Sequence, residues 1–306
     1  MNDISTPLFS VVIPAYNRAH CLKETIRSVQ EQSVQDFEIV IVDDGSKDDT
    51  QALIEGLSDP RIHYVRQDNA GANVARNHGI RLARGKYVAL LDSDDRFLPH
   101  HLQSAATLLG DDRAAYFARV IVDRGTEQTF LKPPRGPRKG EPLSEYLCCD
   151  MGFVQTSTLV LPLGVAQSIP YLEWLPYGQD VDYALRLAHA GIPLRYADQA
   201  DAIWDDVQSG KRISSQSRGT VRDRWASENA DLLTQRARRG FRGWRSAKAY
   251  AEGGQWVKGV SLSLKATASG AYPAKHAARV FLQVALAGGA YQKLVGTALK
   301  LAGKRQ

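Results

Sequence analysis

Residues Tyr87–Pro99 read YVALLDSDDRFLP. Tyr87 to Leu91 suit a buried strand, and they run directly into three carboxylates, Asp92, Asp94 and Asp95. Like charges this close repel, and each costs energy to take out of water. A continuous apolar strand, rather than an alternating one, belongs to a sheet buried on both faces. Acids that follow at once mark the edge where such a sheet meets a ligand, and a divalent cation is one way to relieve their repulsion.

The same pattern extends upstream. Phe9 to Ile13 (FSVVI) is an apolar, β-branched run closed by Pro14, and Phe37 to Val42 (FEIVIV) is a second one, ending in Asp43-Asp44-Gly45-Ser46. Between them CLKETIRSVQEQ places Leu22, Ile26 and Val29 at helical spacing. KDDTQALIEGL is a second helix, with Thr50 or an Asp as its cap. Arg61 to Val65 is a shorter strand and Val74 to Ala83 a third helix. Strand and helix thus alternate four times at βαβ spacing, which predicts an α/β fold with a mostly parallel sheet flanked by helices.

Beyond Pro99 the alternation blurs. His101 to Leu109 reads as helix, Tyr116 to Asp123 and Thr156 to Leu161 as strands, and Gln179 to Ala190 as a helix closed by Gly191 and Pro193. Lys132 to Pro142 (KPPRGPRKGEP) is dense in Pro, Gly and basic residues and reads as a surface loop. From about Thr220 the chain is helical in pattern and rich in Ala, Arg and Lys. The expected division is 1–219 for the α/β domain and 220–306 for a basic helical C-terminal region.

The 306 residues carry a net charge of +6, unevenly spread. Residues 1–206 hold 20 Lys+Arg against 29 Asp+Glu, a net of −9, and residues 207–306 hold 19 against 4, a net of +15. Acidic body and basic tail are expected to meet different partners. Cys21, Cys148 and Cys149 are too few and too badly spaced for a disulfide framework or a zinc site, which suits a reducing compartment. The opening MNDISTPLFS lacks a basic segment followed by an apolar run, and no window holds roughly 18 uncharged apolar residues. No signal peptide or membrane-spanning helix is expected, and the chain is placed in the cytoplasm, peripheral on the inner face of the cell membrane.

Three polar clusters fall at ends of strands: Pro14-Ala15-Tyr16-Asn17-Arg18, Asp43-Asp44-Gly45-Ser46 and Asp92-Ser93-Asp94-Asp95. Each alone reads equally well as a turn. All three at one edge of one sheet point to a ligand site. Asp92-x-Asp94 can converge on a hard cation such as Mg²⁺ or Mn²⁺, leaving positions for phosphate oxygens. An EF-hand would need Gly and Glu where the chain has Phe97 and Gln103.

The run SVVIPAYNRAHCLKETIRSVQEQSVQDFEIVIVDDGSKDDT, followed by NAGANVARNHGIRLARGKYVALLDSDD, resembles the nucleotide-binding half of family 2 glycosyltransferases, which have the GT-A fold. The dense match covers about residues 8–103, a looser one continues through about 104–219, and the tail is not covered. The resemblance implies an inverting, metal-dependent hexosyltransferase of bacterial exopolysaccharide, capsule or lipopolysaccharide assembly, using a nucleotide diphosphate sugar, commonly UDP-linked. It assigns Pro14, Ala15 and Tyr16 to the base, with Asn17, Arg18, Asn69, Gly71, Asn77 and Ser93 in the surrounding loops. Asp43 takes the uracil N3–H, Asp44 orders the turn, and Arg76 lies near uracil or phosphates. Asp92 holds the ribose or a metal-bound water. Asp94 ligates Mn²⁺ or Mg²⁺, and Asp95 is either a third ligand or the residue behind it.

Gly178-Gln179-Asp180-Val181-Asp182 opens a helix far along the chain, and Asp180 matches the family's general base. An acceptor hydroxyl attacking a sugar C1 must lose a proton, and a carboxylate opposite the leaving diphosphate can take it. Acids at helix starts also serve as caps, which is the reading for Asp182. Trp174 and Tyr177 are candidates for stacking on acceptor rings. Lys211 and Arg212 are candidates for a loop over the diphosphate, where relatives often carry His or Arg.

The tail carries Arg236, Arg238, Arg239, Arg242, Arg245 and Lys248, with Trp225, Trp244 and Trp256 among them. Basic amphipathic helices with aromatic residues bind anionic membranes. The expected partners are a nucleotide-sugar donor, a saccharide or polyprenyl-linked acceptor, and a membrane surface met through the basic C-terminal region, residues 220–306. The alternative for the tail is packing on the catalytic domain or on a second copy as a homodimer. No nucleic-acid-binding motif is present. The rival functions are a sugar nucleotidyltransferase, whose Gly-rich basic loop PAYNRAH lacks, and a non-catalytic scaffold.

Overall fold

The computed structural model describes residues 6–110, 113–126, 129–207, 219–286 and 291. Contacts group the chain into two units, residues 1–136 with 153–209 and residues 137–152 with 210–306. A boundary at 219/220 leaves 137–152 in the first unit, whereas the contacts group them with the C-terminal helices.

The first unit is built on one sheet. Its strands are β1 (Phe9–Ala15), β2 (Phe37–Asp43), β3 (Ile62–Arg66), β4 (Tyr87–Leu90), β5 (Arg96–Phe97), β6 (Ala115–Asp123), β7 (Phe130–Lys132), β8 (Val160–Pro162) and β9 (Leu194–Asp205). Their order is β3-β2-β1-β4-β8-β6-β9-β5, with β7 on β6. The half made of β3, β2, β1 and β4 is parallel, as expected from the alternation. The other half is mixed: β8 is antiparallel to β4 and β6, β9 runs parallel to β6, and β5 is antiparallel to β9. Helices α1 (Leu22–Gln30), α2 (Thr50–Glu55), α3 (Ala72–Leu82) and α4 (His101–Leu109) follow the early strands. In the second unit α5 (Leu143–Cys149) joins the C-terminal helices, while α6 (Leu163–Ser168) and α7 (Gln179–His189) belong to the first.

Every residue of β1, β2 and β4 is buried, which explains their unbroken apolar sequence. Helix α3 lies so close on this layer that a Cβ on Gly79 would meet Val12 Cγ1 at 2.5 Å. Two polar residues interrupt the strands, Ser10 and Glu38, and they stand opposite each other in register. Ser10 donates to Glu38 at 2.6 Å, and Arg84 closes on the same carboxylate through Nε at 2.9 Å and Nη2 at 2.6 Å. Burial opposes ionisation of Glu38, but the Ser10 and Arg84 hydrogen bonds outweigh it and hold the acid below its usual range.

One local expectation changes: Thr156–Thr158 form a 3₁₀ turn, and only Val160–Pro162 are strand. At the start of α2 the acid that takes a backbone N–H is Asp48, which accepts from Thr50 at 3.1 Å, while Thr50 and Asp49 make no side-chain cap.

In the second unit α5 packs with α8 (Gly219–Glu228), α9 (Gln235–Phe241), α10 (Ala247–Glu252), α11 (Trp256–Ala268) and α12 (Ala274–Ala285). Thr234 caps α9 by accepting the Ala237 N–H at 3.1 Å, and its hydroxyl donates to Glu145, which also pairs with Arg236 at 2.8 Å. Among the described residues no helix is long and apolar enough to cross a membrane.

Candidate active site

The carboxyl ends of β1, β2 and β4 lie side by side, so the three polar clusters share one edge as the sequence implied. The β2 end is a compact knot. Asp43 is fully buried; its Oδ1 accepts the Ser46 N–H at 2.7 Å and its Oδ2 accepts the Tyr64 hydroxyl at 2.7 Å, with Arg66 at 3.6 Å. In this structure the Asp43 carboxylate organises the loop through these protein donors. Asp44 orders the neighbouring loop as expected, accepting the N–H groups of Ala70 (2.9 Å) and Gly71 (2.7 Å). Asn69 donates back to the Asp44 carbonyl at 2.9 Å. Gly71, at φ 100°, starts α3 in a conformation that favours glycine, although a Cβ there would meet nothing.

Pro14 and Ala15 are buried in the last turn of β1, and Tyr16 beyond them is 42% exposed, so its ring is available to stack. Asn17 adopts the left-handed conformation at φ 54°, held by accepting the Lys47 N–H at 2.7 Å and donating its own N–H to Ser46 at 2.9 Å. This turn aims Arg18 across the edge to the third cluster, where Nε reaches Ser93 Oγ at 3.3 Å and Nη2 pairs with Asp94 at 3.1 Å.

The three acids of that cluster are not equivalent. Asp92, partly exposed, accepts from Arg76 Nη2 at 2.7 Å. Arg76 is buried, neither on a solvated helix face nor at the surface. It also binds Asn73 at 2.8 Å, lies over the Tyr171 ring at 4.7 Å, and its Nε has no partner. Asp94, with its side chain 39% exposed, is the acid that reaches solvent most fully. Asp95 is 1% exposed: Oδ2 accepts from Gln155 and Ser157, and Oδ1 accepts the Asp205 N–H at 3.0 Å. Burial, then the charges of Asp92 and Asp94, push Asp95 well above the usual carboxylate range. Of the three acids, Asp95 is the one whose two oxygens both face protein donors. The oxygen donors of Asp94 and Asp92 at an open edge fit Mg²⁺ or Mn²⁺, which take one or two carboxylates plus phosphate oxygens. Among the described residues no group of three acidic, His or Cys side chains could hold a metal on its own.

The turn misread as strand joins both parts of the site. Ser157 accepts the Asp92 N–H at 3.1 Å and donates to Asp95, while Thr156 donates to Asp180 on the first turn of α7. Thr156 and Ser157 are fully buried. The signal for them was Thr156-Ser157-Thr158 itself: three consecutive hydroxyls in a buried run require partners. Asp182 is fully buried and bound by Arg186 at 2.9 and 2.7 Å, in keeping with a structural acid. Asn73 binds the carbonyls of Leu172 and Leu175 at 2.8 Å each, and Asn77 exchanges hydrogen bonds with the Tyr171 backbone at 2.9 and 2.8 Å. So α3, which carries Arg76, also fixes the segment leading to Trp174, Tyr177 and Asp180. Tyr177 is buried and Trp174 is partly so, which leaves Trp174 the better candidate for stacking on a ring. Lys211 and Arg212 lie outside the described residues.

An open acidic edge beside a half-parallel sheet, with a buried arginine behind it and Asp180 tied to the same turn, is a candidate ligand site at the carboxyl ends of the strands. The comparisons then identify the family. The sequence model of glycosyl transferase family 2 matches residues 10–155. The amylovoran biosynthesis glycosyltransferase AmsB of Erwinia amylovora is 36% identical over 237 residues, spanning 72% of this chain and 74% of that protein. The chain belongs to glycosyl transferase family 2. A Campylobacter jejuni GalNAc(5)-diNAcBac-PP-undecaprenol beta-1,3-glucosyltransferase is 34% identical over 122 residues, 39% of this chain and 40% of that one. Relatives in Rickettsia are longer than the shared stretch, which spans 31% to 58% of them. Staphylococcus aureus TarS 1–349, solved with UDP-GlcNAc, shares the fold with a TM-score of 0.62 at 19% identity, over 95% of this chain and 91% of that one. The Pyrobaculum calidifontis mannosyltransferase PcManGT, solved with GDP-Man and Mn²⁺, does so at 0.57 and 16%, over 99% and 89%. The fold is GT-A.

Proposed function

We propose that this chain transfers a hexose from a nucleotide diphosphate sugar, a UDP-sugar in the first instance, to a hydroxyl of a saccharide or lipid-linked saccharide in polysaccharide assembly, with inversion at C1. The observation that carries the reading is the 3₁₀ turn, which ties Asp92 and Asp95 on one side to Asp180 on the other. Asp92 at the donor edge and the candidate base thereby belong to one hydrogen-bonded assembly, as a displacement between a leaving group and an attacking hydroxyl requires.

In this reading Tyr16 stacks on the base, and Arg18, already at the edge, meets the diphosphate. Arg76 holds Asp92 in place and offsets its charge. Asp94 and Asp92 are the residues to hold Mn²⁺ or Mg²⁺, which supplies charge neutralisation for the diphosphate when bound. The acceptor oxygen forms the new bond to C1 as the bond from C1 to the phosphate oxygen breaks. That electron pair leaves on the nucleoside diphosphate, and the acceptor proton passes to the Asp180 carboxylate. Attack from the face opposite the leaving group inverts the anomeric carbon.

The test is a panel of nucleotide sugars, read by thermal stabilisation and by nucleotide release with and without Mn²⁺. One sugar nucleotide that stabilises the protein, and that it turns over on adding a saccharide acceptor, supports the reading. A panel in which none binds overturns it.

A further inference from the structure

The second unit carries a surface that the transfer reaction does not use. Residues 253–306 contain no Asp or Glu, against eight Lys and Arg. Within this all-basic stretch α11 packs by a face of small residues. Gly259, Ser263 and Ala266 are buried, and a Cβ on Gly259 would stand 2.5 Å from the Ala247 carbonyl of α10. The opposite face is apolar where water is expected. Val257 is 76% exposed and Leu264 53%, seven residues apart and so on one side of the helix. Trp256, 49% exposed, stands beside them with its indole N–H fixed to the Ala285 carbonyl at 3.0 Å, and Leu282 on α12 is 40% exposed. Of the large exposed apolar side chains among the described residues, half sit on these two helices. Between and beside them Lys258, Lys265, Lys275 and Arg279 are exposed.

Apolar side chains that protrude singly are ordinary, but a stripe with a Trp at its corner on two helices that carry cations and no acid is not. Nucleic acid would use the cations and leave Val257 and Leu264 in water. An anionic lipid surface uses both, since the cations meet phosphate headgroups while Trp and aliphatic side chains enter the interface. We infer that the exposed face of α11 and α12 docks on an anionic membrane surface. This narrows the contact from the basic C-terminal region as a whole to one face that begins at Trp256.

The experiment is co-sedimentation of the full chain with phosphatidylcholine vesicles, with or without phosphatidylglycerol, at low and high salt. No donor or acceptor is present, so the outcome is separate from that of the transfer reading. The expected result is binding to the anionic vesicles that weakens with salt. Val257→Glu/Leu264→Glu should lower it by about tenfold or more, and removing Lys265, Lys275 and Arg279 as Gln by about fivefold per residue. These side chains are exposed, and equal melting temperatures check that the variants fold. Binding that ignores phosphatidylglycerol, or that survives both sets of substitutions, overturns the inference. So does a dimer in solution that Val257→Glu/Leu264→Glu dissolves, or retention of an oligonucleotide in place of vesicles.

Discussion

Thr156→Val removes one hydroxyl and nearly no volume. Thr156 is fully buried and donates to Asp180, so the change withdraws one hydrogen bond from that carboxylate rather than opening a cavity. A hydrogen bond to a charged group contributes about 1.5–3 kcal/mol. At about 1.4 kcal/mol per factor of ten, turnover should fall about 10- to 100-fold if that bond aims the base at the acceptor. The pH dependence fixes the mechanism. A donor to the carboxylate favours its charged form, so removing it makes the base easier to protonate, and the acidic limb of the kcat profile should move to higher pH. The assay is initial-rate release of nucleoside diphosphate across pH, with diphosphate binding measured in parallel. Thr156→Ser, which keeps the donor, should restore most of the rate and the original limb. A Thr156→Val enzyme with unchanged rate and unchanged limb refutes the reasoning. A slower enzyme whose limb does not move reduces Thr156 to packing.

Three further outcomes follow from the geometry. Asp95 is raised by burial and by Asp92 and Asp94, so its contribution to stability is present below the ordinary carboxylate range and is lost as pH rises toward its folded value. Asp95→Asn should therefore gain in melting temperature on the wild type between about pH 4 and pH 8, and a pH-independent difference contradicts this. Gly79→Ala drives a methyl to 2.5 Å from Val12 and should cost about 1–3 kcal/mol by urea unfolding; an unchanged midpoint means that α3 does not lie that close. Burial pushes the thiols of Cys21 and Cys148 up to about 11 and that of Cys149 up to about 12, so none should react quickly with an aromatic disulfide near neutral pH until the chain unfolds.

The parallel half of the sheet was legible because each strand is short, β-branched and buried on both faces, so burial alone determines its sequence. Its ligand edge was legible because loop acids there are contiguous with the strands they follow. The mixed half was legible only in part: Tyr116 to Asp123 reads as a strand and is β6, whereas the antiparallel pairings of β8 and β5 leave no mark in the sequence. Strand β9 carries Asp198, Gln199 and Asp201 because part of it is solvated and because Asp201 is buried against Tyr116 and His101. Asp43 and Arg76 were legible as candidates, but their burial was not. A sequence does not show that Tyr64 and Ser46 would close over one, or Asn73, Asp92 and Tyr171 around the other. Thr156 and Ser157 were missed for a related reason: a Thr-Ser-Thr run leading into Leu159–Leu161 fits a strand pattern until the acceptors Asp180 and Asp95 are known to lie alongside.

The central claim is that Asp180 takes the acceptor's proton at a donor site it does not itself form. The direct measurement is diphosphate release by Asp180→Asn with the donor found in the panel and a saccharide acceptor, beside equilibrium binding of the free diphosphate. Turnover should fall by about 10²- to 10⁴-fold while binding stays as in the wild type. Full turnover by Asp180→Asn contradicts the account.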